Sequence, residues 1–410
     1  MFRKILFAMC ILTMLSLLTY GLSDASGSLP NWETAFDPGP YLQDGYYVNA
    51  VEEYKGSLYT VAGTFSDAEL SAGQVFRSQD GKNWQPASDI GFGLSTVEDG
   101  CGTDYYDTSW DMIVFQDRLY VLPFEWCYLR PGVILRSTGT PTREGILTWE
   151  TSATTQELGF SWVDGDIVYY GQFHKLAVFN GMLYASVDYA DQTTLFTGSA
   201  IFRSPSGAPG SWTEVKDFPG WGWPGTFQQF KGALYVASDG IYIPPDWEPA
   251  PEQIWRTFDG INWEMVVEDG FGNPGTDGLG GFADYKGYLY IGASPIEGGE
   301  GGGQIWRSQD GKNWEPVILD GFGNPKDGKI DGLIVYKGEL YAHTVNWTEG
   351  CSVFRTQDAQ TWEAVNQPGW GYTDFWASHQ TADQVVFKDD LYMGVYGWNG
   401  VLLKMAHPDK

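Results

Sequence analysis

Short runs of alternating hydrophobic and polar residues follow one another along almost the whole chain, separated by Gly, Pro, Asn or Asp. Alternation of this kind is typical of β-strands that bury one face. The one long apolar segment is Ile5–Leu18, and beyond it no long stretch has the period of about 3.6 residues that marks a helix. The pattern therefore predicts an all-β protein made of many short strands.

A Leu-Tyr pair recurs seven times and marks the first hairpin of a repeated unit. An aromatic residue stands four positions before each Leu, and a turn such as Lys286-Gly287 lies between them. Two apolar runs joined by such a turn form a β-hairpin. The pairs are Leu58-Tyr59, Leu119-Tyr120, Leu183-Tyr184, Leu234-Tyr235, Leu289-Tyr290, Leu340-Tyr341 and Leu391-Tyr392, at spacings of 61, 64, 51, 55, 51 and 51 residues.

A second hairpin follows in most units, and its turn has the pattern Ser-x-Asp-Gly-x-x-Trp, as in Ser308–Trp314. The Asp carboxylate can accept backbone N–H groups of the turn, and Gly supplies a positive φ. The Trp then begins the fourth strand. The Asp residues at this position are Asp80, Asp259, Asp310 and Asp358, and unit six has Ala359 in place of Gly.

The two ends of the chain together supply the four strands of the seventh unit. The seventh unit has three strands, of which Val401–Met405 is the last, and the missing fourth strand matches Asn31–Thr34 near the N-terminus. Sharing one blade between both ends closes a ring and leaves no exposed sheet edge at the junction. We therefore predict a seven-bladed β-propeller of four-stranded antiparallel blades, closed by the N-terminal strand.

The repeat also resembles known families. Its Asp-Gly turn resembles the Asp-box of sialidase-type propellers, and its Leu-Tyr strand with a downstream Trp is similar to kelch repeats, although the kelch Gly-Gly doublet is missing. The unit as a whole resembles secreted bacterial propellers that mostly lack an assigned activity. The resemblance covers nearly all of the chain after the first 25 residues, and it implies the fold rather than a function, because an Asp-box is a folding device.

The N-terminus has the features of a secretion signal. Arg3 and Lys4 precede the apolar run, which is short for a membrane span, and Ser23-Asp24-Ala25 offers small residues for cleavage. We expect a signal peptide over residues 1–25 and the propeller over 26–410. The expected location is secreted, periplasmic or on the cell surface, with no membrane span after signal removal.

The cysteine and charge content limits which disulfides, partners and metal sites we expect. After the signal, Cys101, Cys127 and Cys351 remain, and the first two fall in loops on the same face of blade two, so we expect them to form a disulfide. The 52 acidic against 24 basic residues give a net charge of −28, which argues against nucleic acid as a partner. We predict no cofactor and no metal site, with Ca²⁺ at Glu297 and Glu300 as an open alternative.

Loop lengths favour one face of the ring for binding. The Lys-Gly turns and the Asp-Gly turns are short and lie on one face, whereas the loops on the opposite face, here called the variable-loop face, differ between units. Candidate ligand-binding residues are the Trp residues outside the repeat and acids of this face. They are Trp110, Trp162, Trp223, Trp347, Trp376, Trp398, Asp107, Asp166, Asp277 and Asp331.

Two repeated features are expected to be structural. A Gly-aromatic-Gly element between units, such as Gly321-Phe322-Gly323, either fills the wedge between blades or offers stacking platforms for sugars, and its regular recurrence favours the wedge. The arginines before the second turn also occupy one repeat position. They are Arg77, Arg136, Arg203, Arg256, Arg307 and Arg355.

Setting the repeated arginines and the signal aside leaves Arg118, Arg130 and Arg143, and we place Arg118 and Arg143 on the face opposite the variable loops. The three-arginine site of a sialidase cannot then be assembled, so we expect no sialidase activity. We interpret the chain as a monomeric, non-catalytic extracellular binding propeller for a glycan or a protein ligand. The alternatives are a glycoside hydrolase with a carboxylate pair at the channel mouth, and an envelope assembly or scaffolding factor.

Overall fold

The computed structural model describes most of the chain after the signal region. The described residues are 29–42, 46–64, 73–94, 106–125, 128–139, 141–142, 146–165, 167–189, 198–219, 223–239, 241–243, 248–272, 278–294, 301–371, 380–396 and 400–406.

Seven four-stranded antiparallel sheets make up the fold, and each is one blade. The first strand is β1 (Asn31–Phe36). Blade one has β2 (Tyr46–Tyr54), β3 (Ser57–Thr64), β4 (Gln74–Ser78) and β5 (Trp84–Pro86), and blade two has β6 (Thr108–Phe115), β7 (Arg118–Phe124), β8 (Val133–Ser137) and β9 (Trp149–Thr154). A separate hairpin of β10 (Ser161–Asp164) and β11 (Ile167–Tyr170) follows. Blade three has β12 (Gln172–Phe179), β13 (Met182–Tyr189), β14 (Gly198–Ser204) and β15 (Thr213–Pro219).

The remaining blades repeat this plan. Blade four has β16 (Trp223–Phe230), β17 (Ala233–Asp239), β20 (Ile254–Thr257) and β21 (Trp263–Val267), with the small hairpin β18 (Ile241–Ile243) and β19 (Glu248–Ala250) inserted. Blade five has β22 (Leu279–Tyr285), β23 (Tyr288–Ala293), β24 (Gln304–Ser308) and β25 (Trp314–Ile318). Blade six has β26 (Lys329–Tyr336), β27 (Glu339–Val345), β28 (Val353–Thr356) and β29 (Glu363–Ala364), and the last strands are β30 (Gln380–Phe387), β31 (Asp390–Tyr396) and β32 (Leu402–Ala406).

The blades form a closed ring. The first strand of each blade contacts the first strand of the blade on either side, and β2 of blade one contacts β30 of blade seven. These seven innermost strands enclose the central channel. The predicted all-β, seven-bladed propeller is confirmed.

Blade seven contains strands from both ends of the chain, in the order β1-β32-β31-β30. Trp32 pairs with Met405 across β1 and β32, and its indole Nε1 donates to the Val365 carbonyl of blade six at 2.9 Å. Lys404 Nζ lies 3.3 Å from Glu33 Oε1 and 2.9 Å from Asp390 Oδ2. The N-terminal strand therefore closes the ring by sheet pairing, by a hydrogen bond to the neighbouring blade and by ion pairs.

The Tyr of the Leu-Tyr pair explains why Gly is favoured in the second turn of the blades that have it. Tyr235 of blade four is 1% exposed, and its hydroxyl lies against Gly311 in the turn of blade five. A Cβ at Gly311 would overlap this hydroxyl, and the residue has a φ of +72°. The same contact joins Tyr392 to Gly81 across the junction between blades seven and one. The Tyr of one blade and the turn Gly of the next blade therefore pack against each other and join the two blades.

The first turn of a blade also holds its neighbour. Lys286 Nζ of blade five donates to the Gln357 carbonyl of blade six at 2.5 Å, and Lys388 of blade seven reaches the Gln79 carbonyl of blade one at 2.6 Å. In blade three, Asn180 does the same for the Phe258 carbonyl at 3.3 Å. The polar residue at this repeat position therefore satisfies a carbonyl of the next blade's turn.

The second turn is organised by its Asp side chain. Asp310 Oδ1 accepts the backbone N–H of Lys312 at 2.9 Å and of Asn313 at 2.8 Å, and Oδ2 accepts the Asn313 side-chain amide at 2.7 Å. These hydrogen bonds favour the ionised form and hold the pKa of Asp310 well below its usual range. Asp80 and Asp259 make matching bonds.

Candidate functional site

Four of the predicted ligand-binding residues have described side chains. Trp110 is half-buried on β6, Asp107 is buried just before that strand, Asp331 is half-buried on β26, and Trp347 is 49% exposed after β27. Trp162 and Trp223 lie on described strands, but their side chains fall outside the described set. The predicted residues that lie wholly outside the described residues are Trp376, Trp398, Asp166, Asp277, Cys101, Cys127 and the Ca²⁺ candidates Glu297 and Glu300.

Trp110 belongs to an aromatic group at the start of the innermost strands of blades two and three. Its ring packs edge-on against Phe124 at 4.9 Å and stacks with the His174 ring at 6.2 Å. His174 Nε2 lies 3.3 Å from Asp188 Oδ1, and the Tyr128 hydroxyl donates to Asp188 Oδ2 at 2.9 Å. An aromatic ring, an imidazole and a carboxylate therefore lie together on the variable-loop side of the channel.

A β-bulge interrupts each innermost strand in its first half. The register with the second strand shifts between Ser109 and Met112 in blade two, and blades three and seven shift at the corresponding place. A bulge redirects the side chains of the extra residues. In these three blades the bulges carry Asp111, Lys175 and Asp383.

The side chain of Lys175 projects into the centre of the ring. Its ammonium interacts electrostatically with carboxylates of four other blades, which only a position near the channel axis permits. These carboxylates are Asp111 of blade two, Asp383 of blade seven, Asp331 of blade six and Asp239 of blade four. Glu52 of blade one interacts in turn with Asp383 and Asp111. We call Glu52, Asp111, Lys175 and Asp383 the channel cluster.

Backbone hydrogen bonds fix the two Asp carboxylates across the blade junctions. Asp111 Oδ2 accepts the N–H of Leu176 in blade three at 2.7 Å, and Oδ1 accepts that of Met112 at 3.0 Å. Asp383 Oδ2 accepts the N–H of Val51 in blade one at 3.1 Å. The Lys175 ammonium donates to the Trp110 carbonyl at 3.2 Å. The cluster is therefore preorganised by the strands and does not depend on flexible loops.

Burial and mutual repulsion change the protonation of these carboxyl groups. Burial, followed by the negative charges of Asp383 and Asp111, raises the pKa of Glu52 to about 8. Burial also raises the pKa of Asp111 to about 6, against the opposing effect of Lys175. At neutral pH the cluster thus holds a protonated Glu52 beside an Asp111 that is mostly ionised.

A salt bridge spans blade five on the channel wall. Lys329 Nζ of blade six lies 2.7 Å from Asp239 Oδ1 of blade four and 3.4 Å from Asp331 Oδ1. A Cβ at Gly278 of blade five would overlap the Asp239 carboxylate, and one at Gly280 would overlap the backbone of blade six. The glycines of blade five therefore allow blades four and six to approach and to join their charges.

His343 is a buried residue of the inner wall. It is 1% exposed and pairs with Gly332, and a Cβ at Gly332 would overlap its imidazole. Burial lowers the pKa of His343 to about 4, so the ring is neutral at physiological pH. The space left by a glycine thus positions this imidazole beside Asp331, which interacts with it electrostatically.

The repeated aromatic and arginine side chains have structural contacts. Phe271 and Phe322 stack on Trp306 and Phe354 of the following blade, with ring centroids 4.7 and 3.9 Å apart. Arg256 Nε lies 2.7 Å from Glu264 Oε1 within its own blade, and its Nη1 donates to the carbonyl of Asp310 in the next. Phe271, Phe322 and Arg256 therefore join neighbouring blades.

The channel cluster was not among the sequence-based candidates. Asp111, Lys175 and Asp383 share one repeat position, four residues before the aromatic residue of the first hairpin, where other units have Ala, Thr or Gly. Charged residues at one position of a channel-lining strand were the available signal. Their convergence depends on the bulge and on ring closure, which local patterns do not reveal.

Neither a metal site nor a membrane helix is found in the described part of the chain. No group of three or more His, Cys, Asp or Glu side chains there is arranged to hold a metal ion. Within the same residues, no helix is long and apolar enough to cross a membrane. Cys351 is a buried free thiol.

Comparison with known proteins supports the fold. No protein-family model and no curated protein matches the chain. The chain is similar to the solved structure of polysaccharide lyase Uly1, with a TM-score of 0.55, 10% identity, and coverage of 90% of this chain and 91% of that one. It is also similar to Penicillium chrysogenum α-L-arabinanase complexed with arabinobiose, with a TM-score of 0.46, 12% identity and coverage of 78% and 94%.

A third similar structure is Trypanosoma rangeli sialidase, with a TM-score of 0.42, 12% identity and coverage of 88% of this chain and 54% of that one. The chain therefore spans about half the length of the sialidase. At such identities, the likeness to the lyase shows a shared propeller fold and nothing finer.

Proposed function

We propose that this chain is a secreted, monomeric propeller that binds a neutral glycan at the variable-loop end of its central channel. The channel cluster is the observation that carries the proposal, because four consecutive blades contribute ionisable side chains to one place. Convergent polar groups with shifted pKa values inside a concave surface are typical of ligand sites. The polysaccharide lyase of the same fold acts, by its name, on a polysaccharide, but the proposal rests on the cluster.

The chemistry of the cluster suits a hydroxyl-rich ligand. Carboxylates such as Asp111 accept hydrogen bonds from sugar hydroxyls, and the Lys175 ammonium donates to hydroxyl or ring oxygens. Trp110 adds an aromatic ring at the same end of the channel. Aromatic surface combined with a few fixed polar groups is the usual composition of a small-ligand site.

Charge favours a neutral glycan over an acidic one. Carboxylates outnumber ammonium groups around the channel even without the protonated Glu52, since two lysines, Lys175 and Lys329, interact with four aspartates. These are Asp111, Asp239, Asp331 and Asp383. A uronate or sulfate group would add a further negative charge to this space and to a chain of net charge −28. We therefore expect affinity for neutral polysaccharides and little for polyanionic ones.

A glycoside hydrolase is the second candidate, and the pKa values of Glu52 and Asp111 favour it. A carboxylic acid that keeps its proton at neutral pH, next to an ionised carboxylate, is the arrangement that glycosidases use for acid and base. In that case Glu52 would protonate the leaving oxygen. Asp111 accepts hydrogen bonds from two backbone N–H groups, so this residue also stabilises the fold.

One experiment separates binding from cleavage. The purified chain is incubated with neutral and acidic polysaccharides, and retention and new reducing ends are scored on the same samples. Retention of a neutral glycan without new reducing ends supports the binding module. New reducing ends that disappear in Glu52→Gln support the hydrolase, and no retention of any glycan contradicts both.

A further inference from the structure

A tryptophan on the variable-loop face is exposed to solvent although its backbone is firmly held. Trp347 follows β27 of blade six and is 49% exposed, whereas every other tryptophan whose side chain is described is buried or half-buried. Single exposed apolar residues are common, so this residue needs an argument beyond exposure.

The side chain of Asn346 fixes the turn that carries Trp347. Its Oδ1 accepts the backbone N–H of Thr348 at 3.0 Å and that of Glu349 at 2.8 Å. Its Nδ2 donates to Asp327 Oδ1 at 3.0 Å, and Asn346 and Asp327 are both only 1% exposed. A buried polar pair therefore holds the turn while the indole stays accessible, and such preorganisation reduces the entropy that is lost when a ligand binds.

A similar anchor occurs in blade two. Glu125 takes the position of Asn346 in the repeat, is 0% exposed, and accepts the backbone N–H of Leu129 at 3.0 Å. The next residue is again a tryptophan, Trp126, which lies outside the described residues. In both blades a buried polar side chain thus fixes the loop that begins with a tryptophan.

Large aromatic residues occupy this repeat position, six residues after the Tyr of the Leu-Tyr pair, in four consecutive blades of the ring. From blade six through blades seven and one to blade two they are Trp347, Trp398, Phe65 and Trp126, of which only the first is described. Blades three, four and five have Ala190, Ile241 and Ile296. The fold therefore does not require an aromatic residue here.

The aromatic position lies close to the channel. Val345, two residues before Trp347, pairs with Lys329, whose ammonium contacts Asp239 and Asp331 on the channel wall. Two Cα steps span at most about 7.6 Å and paired strand residues are at most about 5.5 Å apart, so the Cα atoms of Trp347 and Lys329 are separated by no more than about 13 Å. Blades seven, one and two, which have the other aromatic residues, also supply three members of the channel cluster.

We propose that Trp347 stacks on a sugar ring of the same glycan chain that the channel cluster binds. This inference rests on the proposed function and adds a second subsite to it. An indole ring offers a flat apolar face to the C–H groups of a pyranose, whereas the cluster offers donors and acceptors to its hydroxyls. The ligand is then a chain that extends from the channel to the rim of the variable-loop face, and its rings carry mainly equatorial hydroxyls, which leave both faces apolar.

The test is titration calorimetry with a disaccharide and a hexasaccharide prepared from the neutral polysaccharide that the chain retains. The variants are Trp347→Ala and Trp347→Phe, of which the second keeps an aromatic face. Phe258→Ala is the matched control, because Phe258 is an aromatic residue of 55% exposure in a short turn on the opposite face. We expect Trp347→Ala to weaken hexasaccharide binding at least about fivefold and to leave disaccharide binding unchanged. Trp347→Phe should retain most of the affinity, and Phe258→Ala should change neither value.

The outcomes separate this inference from the proposed function. Equal hexasaccharide affinities for Trp347→Ala and the unmodified chain would overturn the second subsite and leave the channel site standing. Equal losses for both oligosaccharides would also overturn it, because Trp347 would then act on the channel site itself. A chain that retains no neutral glycan would contradict the proposed function, and the second subsite with it.

Discussion

Glu52 shows how the ring controls a single ionisable group. It lies next to the solvent-exposed Glu53 on β2, and it interacts with Asp383 and Asp111 of the neighbouring blades. Burial and these two charges raise the pKa of Glu52 to about 8. A carboxyl group that is protonated at neutral pH can donate as well as accept a hydrogen bond, and this widens what the channel can bind.

The raised pKa makes a prediction about stability. The folded chain keeps the Glu52 proton up to about pH 8, whereas the ordinary value is 4.5, so the folded state binds more protons between these limits. The free energy of unfolding contributed by this site therefore falls as pH rises through that window. Glu52→Gln removes the titration, so its stability relative to the unmodified chain should rise by at least about 1 kcal/mol between pH 5 and pH 9.

Urea unfolding at both pH values measures this difference. Glu53→Gln is the control for a carboxyl-to-amide change at an exposed position of the same strand, and it leaves the Glu52 carboxyl in place. A Glu52→Gln variant whose advantage does not grow with pH would show that Glu52 titrates normally and that the charges of the channel cluster are not coupled.

At the scale of the element, the second turn of a blade combines two demands on one glycine. Gly311 has a φ of +72° and also lies under the Tyr235 hydroxyl of the previous blade. Gly287, in the first turn of the same blade, has a φ of +81° but nothing within 4 Å of where a Cβ would lie. The two glycines therefore separate the cost of backbone conformation from the cost of contact between blades.

Replacing each of these glycines by Ala should give different losses. Gly287→Ala should lower the free energy of unfolding by about 1 kcal/mol, the usual cost of a left-handed conformation for a non-glycine residue. Gly311→Ala should cost roughly 1–3 kcal/mol more, because the methyl group must displace Tyr235. Denaturant unfolding measures both, and equal losses would mean that the Tyr-Gly contact does not hold the blades together.

Some elements could be predicted from the sequence and others could not. The Asp310 turn could be predicted because its pattern is local. The Asp310 side chain accepts a hydrogen bond from the backbone N–H three residues further along the chain. The hairpin of β10 and β11 was missed, although Asp164-Gly165 is a turn signal, because it falls in a segment assigned to a connection between blades. Lys175 and Asp383 were missed because a lone charge on a strand usually indicates a solvated face.

At the scale of the whole molecule, closure of the ring depends on the N-terminal strand. Trp32 packs edge-on against Trp370 at 5.4 Å and donates to the Val365 carbonyl, so it joins blade seven to blade six. Lys388 and Asp383 join blade seven to blade one on its other side. The ring positions the channel cluster, because its four members come from four blades.

Loss of this closure should therefore be costly. Trp32→Ala should lower the free energy of unfolding by about 2–4 kcal/mol, since it removes a half-buried ring and leaves the Val365 carbonyl without its donor. Trp347→Ala is the control and should change the free energy of unfolding by less than about 0.5 kcal/mol, because Trp347 is 49% exposed. Thermal and denaturant unfolding compare the two, and similar effects would contradict closure by β1.

The central claim is that the channel cluster binds the ligand, and titration calorimetry with the retained neutral oligosaccharide tests it most directly. The comparison is between Glu52→Ala, which removes a side chain from the channel, and Glu53→Ala, which removes its exposed neighbour on the same strand. We predict that Glu52→Ala weakens affinity at least about tenfold, the loss of one buried hydrogen bond, and that Glu53→Ala leaves it unchanged. Equal affinities for both variants would contradict a ligand site in the channel.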